Sequence, residues 1–220
     1  MDFSKLRIKT REEREAEEAA RPACFVVTGS RDWTWAVPVQ ATMRRLHSAG
    51  FARMGHGAAR GLDSIAANKA RLFWPDEQIK AYPADWSGGK RAGIDRNYTM
   101  EREERPHLGV AFPLAASVGT WHMSVLVAQS APVMIFLGGV QQEIVKQAKE
   151  YDIDPVSDRQ CAVVAWVEEQ VRQQVVRSRA MLDYVGVEMP DATKAWALLR
   201  PRGGGAIDHR GQAGIDALLR

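Results

Sequence analysis

The chain is poor in cysteine, in long apolar runs and in net charge, and each shortage excludes a class of protein. Its 220 residues include two cysteines, Cys24 and Cys161, which are too few for a disulfide framework or a cysteine-rich zinc site. Its apolar stretches are far shorter than the about 20 residues that a membrane-spanning helix needs. The mostly charged N-terminal segment lacks the apolar core of a signal peptide. We therefore expect a cytoplasmic protein with reduced cysteines and no membrane partner.

The net charge of +3 comes entirely from the C-terminal part of the chain. Residues 1–21 contain six basic and six acidic side chains, and residues 22–193 contain 19 of each. Residues 194–220 contain five basic and two acidic side chains, which accounts for the whole excess. Because a neutral globular part attracts a phosphate backbone only weakly, we do not expect nucleic acid as a partner.

Short apolar runs alternate with segments of helical periodicity between residues 23 and 137. The pattern predicts strands at 23–28, 51–54, 78–82, 108–112 and 133–137, and helices at 36–49, 62–73, 92–104 and 120–129. This order is typical of an α/β protein whose parallel sheet is covered by helices on both faces. We therefore predict a modified Rossmann-like, doubly wound sheet of about five strands.

Both flanks of this region differ from it in composition. We interpret the charged residues 1–21 as a solvated helix or a disordered arm, and residues 22–150 as the ligand-binding domain. Residues 151–220 form a predicted helical C-terminal extension with a basic tail. A capping box at its start predicts a helix over 157–184, which packs on the domain or mediates self-association of two copies. The remainder, rich in proline and glycine, is interpreted as a partly ordered tail that ends in a short helix.

Glycine, hydroxyl, arginine and tryptophan side chains follow the predicted strands. In an open parallel sheet, ligands bind at the carboxyl ends of the strands, so these residues are expected to converge. Glycines let a ligand approach backbone amides, arginine forks bind phosphate, and tryptophan offers a stacking face. We predict a site for a phosphorylated, nucleotide-like ligand, without a metal ion or other cofactor. Its residues are Thr28, Gly29, Ser30, Arg31, Trp33, Gly55, His56, Gly57, Arg60, Gly61, Asp63, Ser64, Asp85, Trp86, Arg96, Asn97, Gly119 and Thr120.

Each of these residues also has an ordinary structural interpretation. The segment from Gly55 to Gly61 matches neither a Walker A loop nor a complete GxGxxG fingerprint, and its glycines are equally typical of turns. Asp63 is a candidate helix cap, Arg96 a candidate surface ion-pair residue, and Trp33 a candidate core residue. The ligand hypothesis depends on the same composition recurring in four separate loops.

Five motifs occur in unbroken order over residues 23–137. They are Val27-Thr-Gly-Ser-Arg-Asp-Trp33, His56-Gly-Ala-Ala-Arg-Gly-Leu-Asp-Ser-Ile-Ala66, Pro83-Ala-Asp-Trp86, Ala92-Gly-Ile-Asp-Arg-Asn-Tyr-Thr-Met100, and Ala111-Phe-Pro113 with Gly119-Thr120. Together they resemble the YspA-type branch of the SLOG superfamily, which is named for the Smf/DprA and LOG proteins. The resemblance implies a modified Rossmann fold that binds nucleotides or nucleotide-derived molecules. Small members of this branch occur in bacteria and often in phages, which implies a role in phage–host defence signalling.

The resemblance also raises the question of catalysis, because LOG proteins cleave nucleoside monophosphates into base and ribose 5-phosphate. Their arginine motif resembles residues 96–100, with Asn97 in place of a lysine. Their glycine-rich motif resembles residues 116–123, with Met123 in place of a glutamate. A thioether does not activate water or stabilise a developing cation as a carboxylate does, so we do not expect this reaction. A carboxylate from elsewhere is offered by Asp63, Asp85, Asp95 or Glu101.

Three functions stay open at this stage, and the first is favoured. It is a module that binds a nucleotide or nucleotide-derived molecule as a sensor, carrier or sequestering protein. The second is a hydrolase that cleaves a nucleotide at its N-glycosidic or phosphate bond. The third is a DNA-associated factor of the DprA kind, which the kinship and the basic tail suggest.

Overall fold

The computed structural model describes residues 10–140, 184–188 and 196–201, together with isolated helical positions at 165, 169, 172 and 173. Its helices are α1 (Arg11–Ala20), α2 (Ala36–Ser48), α3 (Leu62–Ala70), α4 (Ala92–Glu104) and α5 (Val118–Val127). Its strands are β1 (Cys24–Gly29), β2 (Arg53–His56), β3 (Ile79–Ala81), β4 (Leu108–Phe112), β5 (Val133–Phe136), β6 (Tyr184–Glu188) and β7 (Trp196–Pro201). Short 3-10 turns span Asp76–Gln78 and Trp86–Gly88.

The strands form one sheet in the order β3-β2-β1-β4-β5-β7-β6. The first five strands of that order are parallel, and β7 and β6 continue the sheet in antiparallel pairing. The strand order reverses between β1 and β4, and such a switch point is where open α/β sheets bind their ligands. The predicted α/β fold with a Rossmann-like, mostly parallel sheet is confirmed.

The sheet separates two apolar layers. Phe25 and Val27 of β1 pack with residues of α2 and α3, whereas the intervening Val26 packs with residues of α4 and α5. Successive side chains of a strand point to opposite faces, so a strand covered on both faces must be apolar throughout. All of β4 is buried, which explains why a continuous apolar run identified it.

Strand β2 begins and ends two residues later than the sequence predicts. The prediction ended the strand at Met54 and assigned Gly55 and His56 to a loop, whereas both residues lie within the strand. Gly55 is needed there because Glu104 of α4 packs against it, and a Cβ atom at Gly55 would lie 3.0 Å from Glu104 Cγ. This glycine provides space for a buried side chain and does not form a turn.

The C-terminal segment corrects the expectation of a helix end followed by a tail. Residues 184–188 and 196–201 are strands, and β7 pairs with β5 and so belongs to the same sheet. The ring of Trp196 lies 5.1 Å from that of Phe136, and this tryptophan is buried. The prediction failed because nearby proline and glycine residues outweighed a five-residue apolar run, residues 195–199.

Four described positions, 165, 169, 172 and 173, are helical and fall within the predicted helix over 157–184. The other positions of that helix, and with them the self-association hypothesis, lie outside the described residues. No helix in the described part of the chain is long and apolar enough to cross a bilayer.

The charged N-terminal segment contains a helix, as one of its two interpretations predicted. Thr10 caps α1, and its side chain and backbone exchange hydrogen bonds with Glu13 in a capping box. Glu18 then forms ion pairs with Arg21 and with Arg105, the residue after α4. These contacts attach α1 to the end of α4.

Candidate functional site

A cavity of about 460 Å³ opens where β1 ends and α3, α4 and α5 begin. This volume lies within the range of about 300–1,000 Å³ that is usual for small-molecule sites. Half of the predicted site residues line it, namely Thr28, Gly29, Ser30, Arg31, Asp63, Trp86, Arg96, Gly119 and Thr120. The structure therefore brings together residues from four segments that lie far apart in the sequence.

Backbone hydrogen bonds fix the loop after β1, both within the loop and to the start of α3. The Ser30 carbonyl accepts hydrogen bonds from the amides of Trp33 at 3.2 Å and Leu62 at 3.1 Å. The backbone of Gly61 has a φ of +72°, and a Cβ atom there would overlap the carbonyl oxygen of Arg31. Gly61 therefore lets α3 begin directly behind the loop, while the Arg31 side chain is exposed at the cavity.

Arg31 and Trp86 meet at the cavity from different segments. The guanidinium carbon of Arg31 lies 4.9 Å from the centre of the Trp86 ring, which is a cation–π contact. Trp86 is 52% exposed although it is a large apolar residue, and Gly93 of α4 packs beside it. An exposed indole at a cavity wall presents a face on which a planar ring can stack.

Arg96 of α4 is the most buried cation of the site, with 14% of its side chain exposed. Its Nη1 donates hydrogen bonds to the carbonyls of Gly57 and, at 3.3 Å, of Tyr82. Its Nε is buried and has no hydrogen-bond partner among the described residues. Burial lowers the pKa of Arg96, while the nearby Asp63 acts in the opposite direction. The guanidinium therefore fixes two loops and still has an unused donor.

Asp63 brings a buried carboxylate to the same cavity. Its Oδ2 accepts a hydrogen bond from the amide of Ala59 at 3.1 Å and lies 4.0 Å from Arg96 Nη1. Burial raises the pKa of Asp63 to about 6, although backbone amides and Arg96 oppose the shift. The group is therefore weakly paired for a buried acid, and it titrates near neutral pH.

Three predicted residues support the site without lining it. His56 Nδ1 accepts a hydrogen bond from the amide of Ala58, whose φ of 53° is unusual for a residue other than glycine. Gly57 lies against Arg96, whose guanidinium would overlap a Cβ atom. Asn97 is buried and donates a hydrogen bond to the carbonyl of Gly119 at 3.2 Å. These residues position the loops that form the cavity.

Asn97 also contacts a second buried imidazole. Its Nδ2 lies 3.1 Å from His122 Nδ1 on α5. Burial lowers the pKa of His122 to about 4, and burial together with nearby Arg71 and Arg96 lowers that of His56 to about 4. Both histidines are therefore neutral at pH 7: His56 holds the loop after β2 as an uncharged acceptor, and His122 contacts Asn97 of α4.

The other predicted residues lie away from the cavity wall. Trp33 is 3% exposed in the apolar core, and Gly55 lies within β2. Arg60 pairs with Asp32 at 3.1 Å, and both side chains are exposed. Ser64 donates a hydrogen bond to the Ala59 carbonyl, and Asp85 caps the turn that contains Trp86.

Eight residues that line the cavity are not among the predicted site residues. They are Asp32, Ala59, Lys90, Gly93, Ile94, Ala116, Ser117 and Val118. Lys90 matters most because it adds a third cation. It precedes a helix and does not follow a strand directly, so the strand-end criterion did not select it. The available signal was a basic pair after two glycines, Gly88 and Gly89, at the start of a helix.

The position of the LOG glutamate lies in the core of this chain. Met123 is fully buried in the apolar layer on the α4 and α5 side of the sheet and does not line the cavity. Of the four carboxylates proposed as replacements, Asp63 lines the cavity, whereas Asp85, Asp95 and Glu101 do not. Of these four replacements, Asp63 is therefore the one that stays a candidate for a catalytic carboxylate.

The chemistry of the cavity is that of an anion site with one buried acid. Arg31, Lys90 and Arg96 supply positive charge, and the first turn of α5 adds the positive end of a helix dipole. Among the described residues, no group of three or more His, Cys, Asp or Glu side chains is placed to hold a metal ion. Comparisons with family models, curated proteins and solved structures give no match.

Proposed function

We propose that the protein binds a nucleotide or nucleotide-derived molecule in this cavity, as a member of the YspA-type branch of the SLOG superfamily. The observation that carries the proposal is the meeting of three cations around one cavity: Arg31 from the loop after β1, Lys90 from just before α4, and Arg96 from α4. Guanidinium and ammonium groups form charge-assisted hydrogen bonds with phosphate oxygens. The phosphate of the ligand lies among these cations, beside the first turn of α5.

The base or sugar of the ligand lies against Trp86. Because its indole is exposed, a planar ring stacks there without displacing core residues. The Arg31 guanidinium, 4.9 Å from the centre of the indole ring, lies beside this position. Ile94 and Val118 supply further apolar surface at the cavity. A role as sensor, carrier or sequestering protein, including one in phage–host defence signalling, follows from binding alone and requires no turnover.

A thermal-shift screen with nucleoside mono-, di- and triphosphates, ADP-ribose and cyclic nucleotides tests the proposal. A ligand that binds only the folded protein stabilises it by about 2.7 kcal/mol at a hundredfold excess over its Kd, so the Tm rises. Mass spectrometry of small molecules released from the denatured protein identifies a co-purified ligand. A flat response to the whole panel, with no released ligand, contradicts the proposal.

Arg31→Ala, with Arg91→Ala as its matched control, locates the binding. Both arginines are exposed. Arg31 contacts Trp86 and lines the cavity, whereas Arg91 directly precedes α4 and does not line the cavity. Loss of a charge-assisted hydrogen bond costs about 1.5–3 kcal/mol, or roughly ten- to a hundredfold in affinity. We expect this loss in Arg31→Ala and near-wild-type affinity in Arg91→Ala; equal losses would place the ligand elsewhere.

The second candidate function, hydrolysis of the bound nucleotide, is favoured by one observation. Asp63 combines burial at the cavity wall with a pKa raised to about 6 by that burial, which suits a group that gives and takes protons near neutral pH. Incubation with AMP, GMP, CMP and UMP, followed by chromatography of free base, tests it. Turnover that disappears in Asp63→Asn would establish an N-glycosidic hydrolase, whereas the absence of free base excludes this reaction for the four nucleotides tested.

A further inference from the structure

A buried carboxylate in a cation-lined cavity requires an explanation. Among the described residues, two carboxylates line the cavity, Asp32 and Asp63. The Asp32 side chain is 75% exposed and pairs with Arg60, so solvent and a counter-charge screen it. The Asp63 side chain is 6% exposed, and its charge repels a phosphate in the same cavity. It must therefore face a different part of the ligand or serve the fold alone.

The fold accounts for only part of what Asp63 can bind. An ionised carboxylate has two oxygens with about four acceptor positions. The amide of Ala59 uses Oδ2, and the amide of Gly57 adds a weaker contact. Arg96 Nη1, at 4.0 Å, is beyond hydrogen-bond distance. The carboxylate thus braces the loop before α3 and keeps capacity for a donor that enters the cavity.

The neighbour of Asp63 restricts what that donor is. Arg96 is one of the three cations proposed to hold phosphate, so an acceptor 4.0 Å from its guanidinium lies next to the bound phosphate. In a sugar phosphate, the groups next to the phosphate ester are sugar hydroxyls, which are uncharged donors. A hydroxyl that approaches a buried carboxylate satisfies it without adding charge, whereas its absence leaves an acceptor unpaired.

We propose that Asp63 accepts a hydrogen bond from a sugar hydroxyl of the phosphorylated ligand, so that the site selects ribose-type phosphates over their deoxy counterparts. This inference rests on the proposed function and narrows its ligand class. Phosphate binding by the cations sets the affinity, and Asp63 sets the preference for the hydroxylated sugar.

Calorimetric titration of the full chain tests the selection. The probes are ribose 5-phosphate against 2-deoxyribose 5-phosphate, which need no particular base, and AMP against 2′-deoxy-AMP and 3′-deoxy-AMP. In the wild-type protein we expect removal of the recognised hydroxyl to weaken binding roughly ten- to a hundredfold. In Asp63→Asn the hydroxylated probe binds more weakly, and the preference falls to about threefold or less, since an amide is a weaker acceptor than a carboxylate.

Asp32→Asn is the matched control, because it removes a carboxylate from the same cavity at an exposed position. It should keep the wild-type preference between hydroxylated and deoxy probes. Circular dichroism and urea unfolding establish that each variant is folded. If Asp63→Asn does not fold, the wild-type titrations with the deoxy probes still decide whether a hydroxyl is recognised.

The outcomes separate this inference from the proposed function. Equal wild-type affinity for hydroxylated and deoxy probes overturns hydroxyl selection and leaves nucleotide binding in place. A wild-type preference that persists in Asp63→Asn assigns the hydroxyl to another group and also overturns it. If Asp63 has a purely structural role, Asp63→Asn lowers the stability and weakens the binding of all probes equally, and the preference again stays unchanged. The inference and the proposed function fail together if the wild-type protein binds neither these probes nor any nucleotide of the thermal-shift panel.

Discussion

Two buried acids, Glu104 and Asp63, each lie beside an arginine, and the two pairs differ in what surrounds them. Near the start of β2, Glu104 Oε1 accepts a hydrogen bond from the Tyr82 hydroxyl at 2.6 Å, and its Oε2 lies 3.1 Å from Arg53 Nη2. At the end of β1, Asp63 and Arg96 are 4.0 Å apart at the wall of a cavity. The first pair is in direct contact and the second is not.

The surroundings of the first pair are other protein groups. The Glu104 carbonyl accepts hydrogen bonds from Arg21 at 2.9 Å and from the Cys24 thiol at 3.1 Å. His107 Nδ1 in turn accepts from the Cys24 amide. This network joins α1, β1, β2 and α4. A buried charge enclosed by protein partners stabilises a particular packing, whereas one that borders a cavity keeps capacity for a ligand.

Removal of Glu104 is the strongest test of this difference. We expect Glu104→Ala to lower the free energy of unfolding by about 3–4 kcal/mol. This is the lower part of the range for a broken buried pair, because the Arg53 side chain is 38% exposed. Urea unfolding measures the loss. Its matched control is Glu103→Ala, which removes the neighbouring carboxylate from an exposed pair with Lys80 and should change stability little.

Nucleotide affinity completes that experiment. Because Glu104 does not line the cavity, folded Glu104→Ala protein should bind a nucleotide ligand as the wild type does. If Glu104→Ala keeps its stability but loses affinity, Glu104 belongs to the binding site, and the distinction between the two pairs is removed.

Acid should destabilise the cavity side of the sheet. His56 and His122 have pKa values of about 4, against 6.5 for an ordinary histidine. Below about pH 6.5 the unfolded chain therefore binds more protons than the folded protein, and the free energy of unfolding decreases as the pH is lowered. Asp63, whose pKa rises from 3.8 to about 6, acts oppositely, because its folded form takes up a proton first as the pH falls. The net effect of two histidines against one acid is a loss of about 3 kcal/mol between pH 7 and pH 4.5.

Urea unfolding at several pH values measures this loss. His122→Gln removes one of the two histidine contributions, so its stability should change by less than about 1 kcal/mol over the same pH range. If the wild-type protein instead gained stability toward pH 4.5, Asp63 would dominate and the histidines would not be neutral in the folded state.

Arg96 both contacts protein carbonyls and lines the cavity, so its substitution should lower both the stability and the nucleotide affinity. Arg96→Ala removes the donor that the Gly57 and Tyr82 carbonyls share, which costs about 1–2 kcal/mol of stability. It also removes a cation from the cavity, which weakens nucleotide binding roughly ten- to a hundredfold. Arg96→Lys should restore part of the affinity, because lysine keeps the charge without the guanidinium fork. Unfolding and titration of both variants give the two numbers; unchanged affinity in Arg96→Ala would exclude this residue from the site.

The fold was predictable where one segment carried its own signal. Helix α4 and strand β4 have the predicted bounds, because a segment of helical periodicity and a continuous apolar run specify them locally. Strand β7 was missed because a short apolar run becomes a strand only when β5 is available to pair with it. The end of β2 was misplaced because the space that Gly55 provides is filled by Glu104, a residue 49 positions away.

The candidate site divides along the same line. Arg31 was selected because it follows a strand and Arg96 because it matches the arginine motif of the resemblance, and both line the cavity. Trp33 and Trp86 were equal candidates in the sequence, and only the packing of the core separates the buried ring from the exposed one. Lys90 was not selected, because its place at the cavity depends on how α4 approaches β1 and not on its own neighbours. Local chemistry thus predicts a ligand class, whereas tertiary packing decides which residues line the cavity.

The smallest expected effect comes from the exposed carboxylate of the cavity. Asp32 lines it, is paired with Arg60 at 3.1 Å, and has a side chain that is 75% exposed. Asp32→Asn removes one negative charge near the proposed phosphate, so the affinity for a nucleotide should rise, by no more than about fivefold in a solvent-screened position. Titration at about 0.05 M and 1 M salt checks the origin of the gain, since screening at high salt should abolish it. A loss of affinity would mean that Asp32 contacts the ligand as an acceptor, and the distinction between an exposed, screened acid and the buried Asp63 would then fail.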